Sequence, residues 1–159
     1  MMLNLAEDVH LDAPPAEVWK LLRDTPRFAG LLPGVQSVKT LEEPGTEAYE
    51  AVVHDKIGPF KVTLTLELRV IKTMEPSLLR AAVKGADAHT LNRVSGTLQA
   101  SLAPATDAEH PGTQMRFDAW VEVLGKLATL GAIPMKRRTT QLFAEFARNI
   151  QGQFARENT

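Results

Sequence analysis

The sequence predicts an α+β fold in which a curved antiparallel sheet of about seven strands wraps around a long C-terminal helix. From Phe60 to Met74, apolar and polar residues alternate as they do in a strand with one buried face. From Pro134 onward, the apolar residues recur at helical spacing instead. At about 3.3 Å per residue the long strand would span roughly 50 Å, more than the diameter of a small domain, so the sheet must bend around something. The last helix is the expected partner.

The first elements are predicted to be one strand and two short helices. The first strand ends at Asp12-Ala13-Pro14-Pro15, and helices tolerate proline in their first turn. Thr25 to Phe28 opens the second helix, which the run Leu31 to Gly34 ends. Apolar residues alternate in the strand and recur at helical spacing in the first helix: Leu3, Leu5, Val9 and Leu11, then Val18, Trp19, Leu21 and Leu22.

Six further strands follow, which we expect to form an antiparallel meander. Pro44-Gly45 and Gly58-Pro59 favour tight connections between the first three of them. Ala103 to Gly112 is predicted to be a polar hairpin tip. The predicted strands are Val35–Leu41, Glu47–Lys56, Phe60–Met74, Leu78–Lys84, Gly96–Leu102 and Met115–Val123.

The final helix should run for about twenty residues and be amphipathic. Charged residues such as Lys136 and Glu145 fall outside its apolar face. That face is formed by Met135, Leu142, Phe143, Phe146, Ile150 and Phe154. Because the chain shows no repeat and no linker, residues 1–159 are expected to form a single domain.

The charge balance and the lack of cysteine exclude several classes of function. The chain has 18 Lys and Arg residues against 19 Asp and Glu residues, so its net charge of −1 gives no general attraction for nucleic acid. Without cysteine there are no disulfides and no thiolate chemistry. The sequence also lacks an apolar run of the ~20 residues that would span a bilayer, and its first residues do not resemble a signal peptide. We therefore expect a cytoplasmic protein.

The sequence gives no support for a metal or a cofactor. No set of His, Asp and Glu residues has the spacing of a metal site, and no phosphate-binding loop or dinucleotide fingerprint is present. The scattered histidines are His10, His54, His89 and His110.

Three short motifs, in order and at the right spacing, resemble the CoxG family, which is named for the G subunit of carbon monoxide dehydrogenase. They are Leu32-Pro33-Gly34-Val35, Lys56-Ile57-Gly58-Pro59-Phe60-Lys61-Val62 and Gly125-Lys126-Leu127-Ala128-Thr129-Leu130-Gly131. The resemblance covers almost the whole chain and implies the helix-grip fold (β-α-α-β6-α) of the START/Bet v 1-like (SRPBCC, polyketide cyclase-like) superfamily. One departure is that Leu64 and Leu66 stand where the family usually carries a small residue.

The resemblance implies a ligand cavity between sheet and helix and an accessory role beside a molybdenum-containing, carbon monoxide dehydrogenase-type oxidoreductase. Apolar side chains around such a cavity favour a lipid-, isoprenoid- or quinone-like ligand, because burial of apolar area would drive binding. Plain core packing of the same residues is the alternative. The candidate lining residues are Phe28, Leu32, Leu64, Leu66, Phe117, Ala119, Leu142, Phe143 and Phe146.

Three polar residues, Tyr49, His89 and Arg93, are candidates for the rim of the cavity. They would also be the candidates for acid or base chemistry if the protein were instead a cyclase- or hydratase-like enzyme of the polyketide-processing type. We expect a binding protein rather than an enzyme, since the apolar stripes place no polar group inside the cavity.

The apolar segment between the last strand and the long helix has two interpretations. Bracketed by Gly125 and Gly131, it could form a flap over the cavity, or it could form a short helical turn packed on the sheet edge. Directly after it, Lys136-Arg137-Arg138 is predicted to occupy the first turn of the helix, where the macrodipole disfavours cations. The candidate gate or docking residues are Leu127, Leu130, Ile133, Arg137 and Arg138.

This segment suits contact with an acidic partner or with the inner face of a membrane, although a solvated basic turn is the favoured interpretation of the charges. A third hypothesis for the whole protein follows: an assembly factor that docks through residues 127–138 around a solid core.

Overall fold

The computed structural model describes residues 1–87, 89–105 and 112–155 and contains one seven-stranded sheet and three α-helices. His110 and most of the predicted hairpin tip lie outside the described residues. In chain order the elements are β1 (Met2–Leu11), α1 (Pro15–Arg23), α2 (Thr25–Ala29), β2 (Val35–Glu43), β3 (Thr46–Ile57), β4 (Phe60–Met74), β5 (Leu78–Asp87), β6 (Arg93–Ala105), β7 (Gly112–Leu124), a 3-10 turn (Lys126–Leu130) and α3 (Ala132–Gln153).

The sheet is antiparallel throughout, in the order β1-β7-β6-β5-β4-β3-β2. Strands β2 to β7 form the predicted meander, and β1 joins it at the far edge beside β7. The α1–α2 connection therefore carries the chain from one edge of the sheet to the other. Together with the long C-terminal helix, this confirms the predicted helix-grip fold.

Strand β4 has the predicted length, but its alternation does not continue to the end. The register with β5 shifts between Val70 and Lys72, so Ile71 is an extra residue on the β4 side. Because one extra residue transfers the following side chains to the opposite face, Met74 leaves the apolar stripe and is 51% exposed. The prediction that Met74 belongs to the stripe was wrong for this reason.

The buried residues form two hydrophobic clusters against the helical face of the sheet, which we call the inner face. The α1 cluster joins α1 and the later half of α3 to β1, β6 and β7; its members include Val9, Leu11, Val18, Trp19, Leu102, Met115, Phe146 and Ile150. The 3-10 cluster packs the 3-10 turn and the start of α3 on the sheet; its members are Leu3, Ile57, Val62, Val123, Leu127 and Met135.

Helix α3 begins two residues earlier than the sequence pattern indicates, at Ala132. Lys136, Arg137 and Arg138 therefore lie in its second turn, so the predicted conflict with the helix dipole in the first turn does not arise. Of the predicted apolar face, Met135, Phe146 and Ile150 are buried and Leu142 and Phe143 are half-buried, whereas Phe154 follows the end of the helix.

Candidate ligand-binding site

The middle of the inner face, between the two clusters, is the candidate site. Met115 of β7 faces α1 and α3, and strand alternation therefore turns Ala119 to the same face. Cross-strand partners point to the same face of a sheet, so the register places Leu98, Ala81 and Val70 on the inner face as well. Apolar inner-face residues that belong to neither cluster and keep accessible surface include Leu5, Leu64, Leu66, Leu68, Val70, Ala81, Leu98 and Ala119.

This accessibility is unusual for side chains on the helical face of a sheet. Leu98, between β5 and β7, is still 36% exposed. A well-packed interior leaves few voids and buries such side chains completely. Only two neighbours in the same region, Ala51 and Val83, are buried among the described residues. The helices therefore cover the two ends of the inner face more completely than its middle.

Two glycines on the inner face lie where a neighbouring group comes too close to leave room for a Cβ atom. Gly85 lies opposite Leu66, and a Cβ at Gly85 would overlap the Cδ2 atom of Leu66, which leans across β5. Gly96 lies opposite Val121, and a Cβ there would overlap the Trp120 carbonyl oxygen of β7. Leu66 thus occupies space that Gly85 leaves open, although the sequence alone gave no sign of this pairing.

The predicted lining residues separate into two groups. Phe28, Leu32, Phe117, Phe143 and Phe146 belong to the α1 cluster, whereas Leu64, Leu66, Ala119 and Leu142 lie between the clusters and are half-buried. The phenylalanines contact one another edge to face: ring centroids are 5.2 Å apart for Phe28 and Phe146 and 5.4 Å apart for Phe117 and Phe143. They form an aromatic wall at one end of the candidate site.

At the opposite end, the 3-10 turn is held against the β5–β6 connection. The buried Asn92 side chain accepts the Leu127 N–H through Oδ1 at 2.9 Å, and Leu127 is only 1% exposed. The structure therefore has the second of the two conformations considered for this segment, a short helical turn packed on the sheet. Beside it, His89, Thr90 and Leu91 face Gly125, Lys126 and Thr129 across a cavity of about 520 Å³.

Asp87 supports the same connection from the inner face. Its carboxylate accepts backbone N–H groups from His89 at 2.9 Å and from Thr63 at 3.2 Å. The bond from His89, together with that from Thr63, lowers the pKa of Asp87 despite its burial. This anionic side chain faces Leu64 at one end of the β4 stripe.

The candidate gate and docking residues do not form one surface. Leu127 is buried and Leu130 packs against the 3-10 cluster, whereas Ile133 is 75% exposed. Arg137 is exposed as well, but Arg138 forms an ion pair with Asp55 of β3. Of the five predicted residues, Ile133 and Arg137 are the ones available to a partner.

The three polar rim candidates are dispersed. Tyr49 lies on the inner face opposite Leu68, His89 is exposed in the β5–β6 connection, and Arg93 is exposed on the outer face opposite Leu124. They are therefore not arranged as one catalytic group. Within the described ranges, no three His, Asp or Glu side chains are grouped as metal ligands would be.

A polar cluster that the sequence analysis missed surrounds Tyr49. Arg23 donates to both carboxylate oxygens of Glu47, at 2.7 and 3.1 Å, and the Tyr49 hydroxyl donates to Glu47 at 2.9 Å. Burial alone would raise the pKa of Glu47, but the bonds from Arg23 and Tyr49 lower it overall. Burial raises the pKa of Tyr49. A cavity of about 260 Å³ lies here, lined by Arg23, Glu47 and residues 70–73.

The fold, with this partly filled inner face, is the helix grip seen in START/Bet v 1-like proteins. The chain belongs to the CoxG family, that of the G subunit of carbon monoxide dehydrogenase, and the family model matches residues 8–155. No match was found among curated proteins. None of the described helices combines the length and apolar character that crossing a bilayer requires.

Solved structures share the fold at low sequence identity. A conserved protein from Geobacillus kaustophilus is 23% identical with a TM-score of 0.82, covering 96% of this chain and 95% of its own. A START superfamily protein from Mycobacterium smegmatis is 13% identical with a TM-score of 0.67, covering 95% and 96%. The Zhui aromatase/cyclase from a Streptomyces species is 18% identical with a TM-score of 0.58, covering 96% and 93%.

Proposed function

We propose that this protein binds a hydrophobic small molecule, lipid- or quinone-like, between the inner face of the sheet and α3. The observation that carries the proposal is the accessible apolar surface in the middle of that face, between two closed clusters. Covering such surface with an apolar ligand is favourable by roughly 25 cal/mol per Å². The aromatic wall at Phe117 and Phe143 would add edge contacts to a flat ring.

Membership of the CoxG family motivates a second part of the proposal, namely that the ligand is carried to or from a carbon monoxide dehydrogenase-type, molybdenum-containing oxidoreductase. The exposed Ile133 and Arg137 at the start of α3 are the proposed contact with that partner or with the inner face of a membrane. A pull-down with Arg137→Glu should lose the partner, whereas Lys20→Glu on the exposed face of α1 should retain it. Equal recovery by both variants would contradict docking at α3.

The binding proposal is tested by organic extraction and native mass spectrometry of the purified protein, together with titration of the neutral dye Nile red. Ala119→Phe places a ring in the middle of the inner face and should abolish saturable binding. Ala144→Phe, on the exposed face of α3, is the matched control and should bind as the wild type does. Ligand-free extracts combined with no saturable dye binding by the wild type would overturn the proposal.

A cyclase- or hydratase-like activity is the second candidate, and one observation favours it. Tyr49 and Glu47 are titratable neighbours on the inner face, 2.9 Å apart. However, the Tyr49 hydroxyl already donates to Glu47 and its pKa is raised, which makes it a poor base. Turnover of a polyketide-type substrate by the wild type and its loss in Tyr49→Phe would establish this candidate over simple binding.

A further inference from the structure

We propose that the segment from Asp24 to Gly34, which contains α2, is a lid that opens away from α3 to admit the ligand. We call this segment the α2 lid. The inference rests on the proposed function and extends it to the route by which the ligand reaches the inner face of the sheet.

The α2 lid spans the inner face from β3 to β7. On β3, the Thr25 side chain lies within hydrogen-bonding reach of the Tyr49 hydroxyl. On β7, the Phe28 ring stacks on Phe117, with ring centroids 6.1 Å apart. Strands β4, β5 and β6 lie between these two contacts, and Leu98 of β6 is still 36% exposed there. The lid therefore crosses the middle of the inner face without filling the space beneath it.

None of the residues of the α2 lid, 24–34, is buried. Even Phe28, Leu31 and Leu32, which pack against the α1 cluster, are only half-buried. Helix α1, directly before the lid, differs in this respect, since Leu21 and Leu22 are among its buried residues. A segment with few buried apolar contacts opens at a lower free energy than the core beside it. We therefore expect the lid to open while α1 stays in place.

The backbone of the lid is bonded largely within itself. The N–H groups of residues 30–32 donate to carbonyl oxygens inside the lid, at 3.1 Å in each case. Where the lid ends, the Gly34 carbonyl oxygen accepts the His54 N–H of β3 at 2.8 Å. Gly34 has a φ of 87°, and a Cβ there would overlap the His54 carbonyl oxygen, so only glycine fits this junction. The lid can thus move as one unit about Gly34 without breaking the sheet.

Two exposed hydrogen bonds close the lid on the last turns of α3. Arg27 Nη2 donates to Gln153 Oε1 at 2.7 Å, and Asn149 Nδ2 donates to the Leu31 carbonyl oxygen at 2.8 Å. The start of α3, by contrast, is fastened by an ion pair from Arg138 and by the 3-10 cluster. Because exposed hydrogen bonds are readily exchanged for bonds to water, α3 and the sheet separate more easily on the side of the lid.

Stopped-flow mixing of the full chain with Nile red tests whether the lid controls access. Arg27→Ala and Asn149→Ala should each raise the association and dissociation rate constants about fivefold, because each removes one hydrogen bond from the closed lid. The dissociation constant should not change, since the closed lid loses the same bond with and without dye. Arg116→Ala, which removes an exposed ion pair with Asp118 on the outer face, is the matched control and should leave both rates unchanged.

A reversible cross-link gives the complementary test, since the chain contains no cysteine. Arg27→Cys combined with Gln153→Cys, joined by a bis-methanethiosulfonate reagent, should abolish rapid uptake and release of the dye. Dithiothreitol should restore both. The control is Lys39→Cys combined with Glu50→Cys, at facing positions of β2 and β3, which should keep the wild-type rates after the same treatment.

Positions 27, 149 and 153 are exposed, so these variants should fold, and thermal unfolding of each checks that they do. If Arg27→Ala, Asn149→Ala and the cross-linked protein all take up and release the dye at the wild-type rates, the lid is refuted while the hydrophobic site stands. If the wild type shows no saturable dye binding, the proposed function fails and the lid fails with it.

Discussion

Arg138 of α3 donates two hydrogen bonds to the carboxylate of Asp55 on β3, at 2.5 Å from Nη2 and 3.2 Å from Nε. Elsewhere α3 packs on β1 at the far edge of the sheet, on the 3-10 turn and, through Phe143 and Phe146, on the aromatic wall. The pair thus ties the start of the helix to the opposite half of the sheet. The Asp55 side chain is only 11% exposed, so solvent screens the interaction less than it would a surface pair.

Asp55→Asn should lower the free energy of unfolding by about 1 kcal/mol, because the amide cannot reproduce the two charge-assisted bonds to Arg138. Urea denaturation measures the change. Glu50→Gln is the control, since its carboxylate pairs with Lys39, whose side chain is 67% exposed, and should change stability by less than about 0.5 kcal/mol. Equal effects of the two substitutions would show that the Arg138 pair does not anchor α3.

Leu127→Ala should destabilise the protein by about 2–5 kcal/mol, because Leu127 is 1% exposed within the 3-10 cluster and its removal leaves a cavity. Leu91→Ala, at a site 81% exposed beside the same turn, should change stability by no more than about 0.5 kcal/mol. Thermal and urea unfolding of both variants test the prediction. If Leu127→Ala had the same thermal and urea unfolding midpoints as the wild type, the 3-10 turn would be a loosely attached flap.

Gly85→Ala should destabilise the protein by about 1–3 kcal/mol, because the new methyl group would overlap Leu66 and force it from its position. In the double variant with Leu66→Ala, part of that cost should disappear, since the side chain that must move is absent. A double-mutant cycle in urea measures the coupling. Strict additivity of the two changes would contradict the proposed use of Gly85 to accommodate Leu66.

Acid should weaken the fold partly through Asp87. Its folded-state pKa is lowered from the ordinary value of 3.8, so its stabilising effect is complete above that value and is lost as the pH falls through the folded pKa. Asp87→Asn should therefore be less stable than the wild type at about pH 7, and the difference in unfolding free energy between the two should shrink as the pH drops below about 4. Unfolding free energies measured across this range test the prediction, with the exposed Glu42→Gln as a control. A difference that stays constant with pH would show that the charge of Asp87 is not involved.

Periodicity predicted the strands, the long helix and its apolar face, because alternation and helical spacing depend only on neighbouring residues. The same reasoning placed Met74 in the stripe, and it was wrong there because the extra residue at Ile71 is visible only in the pairing with β5. The start of α3 at Ala132 was missed for a related reason. Nothing in the local pattern distinguishes the first turn of that helix from the apolar segment before it.

The candidate site was predicted in part. Leu64, Leu66, Ala119 and Leu142 could be assigned to one shared surface from their spacing, and the structure places them between the clusters. Arg23 and Glu47 could not be paired in this way. They are separated by 24 positions, and their contact depends on how α1 crosses from one edge of the sheet to the other.

Taken alone, the order of residues determined the secondary structure, the apolar and polar faces of each element and, through three short motifs, the family. Tertiary structure decided which of those apolar residues are sealed in clusters and which keep accessible surface, and it brought Arg23 to Glu47 and Arg138 to Asp55. The physical reason is one of range. A face is set by backbone geometry within a few residues, whereas filled volume and ion pairing depend on side chains that meet only when distant segments pack together.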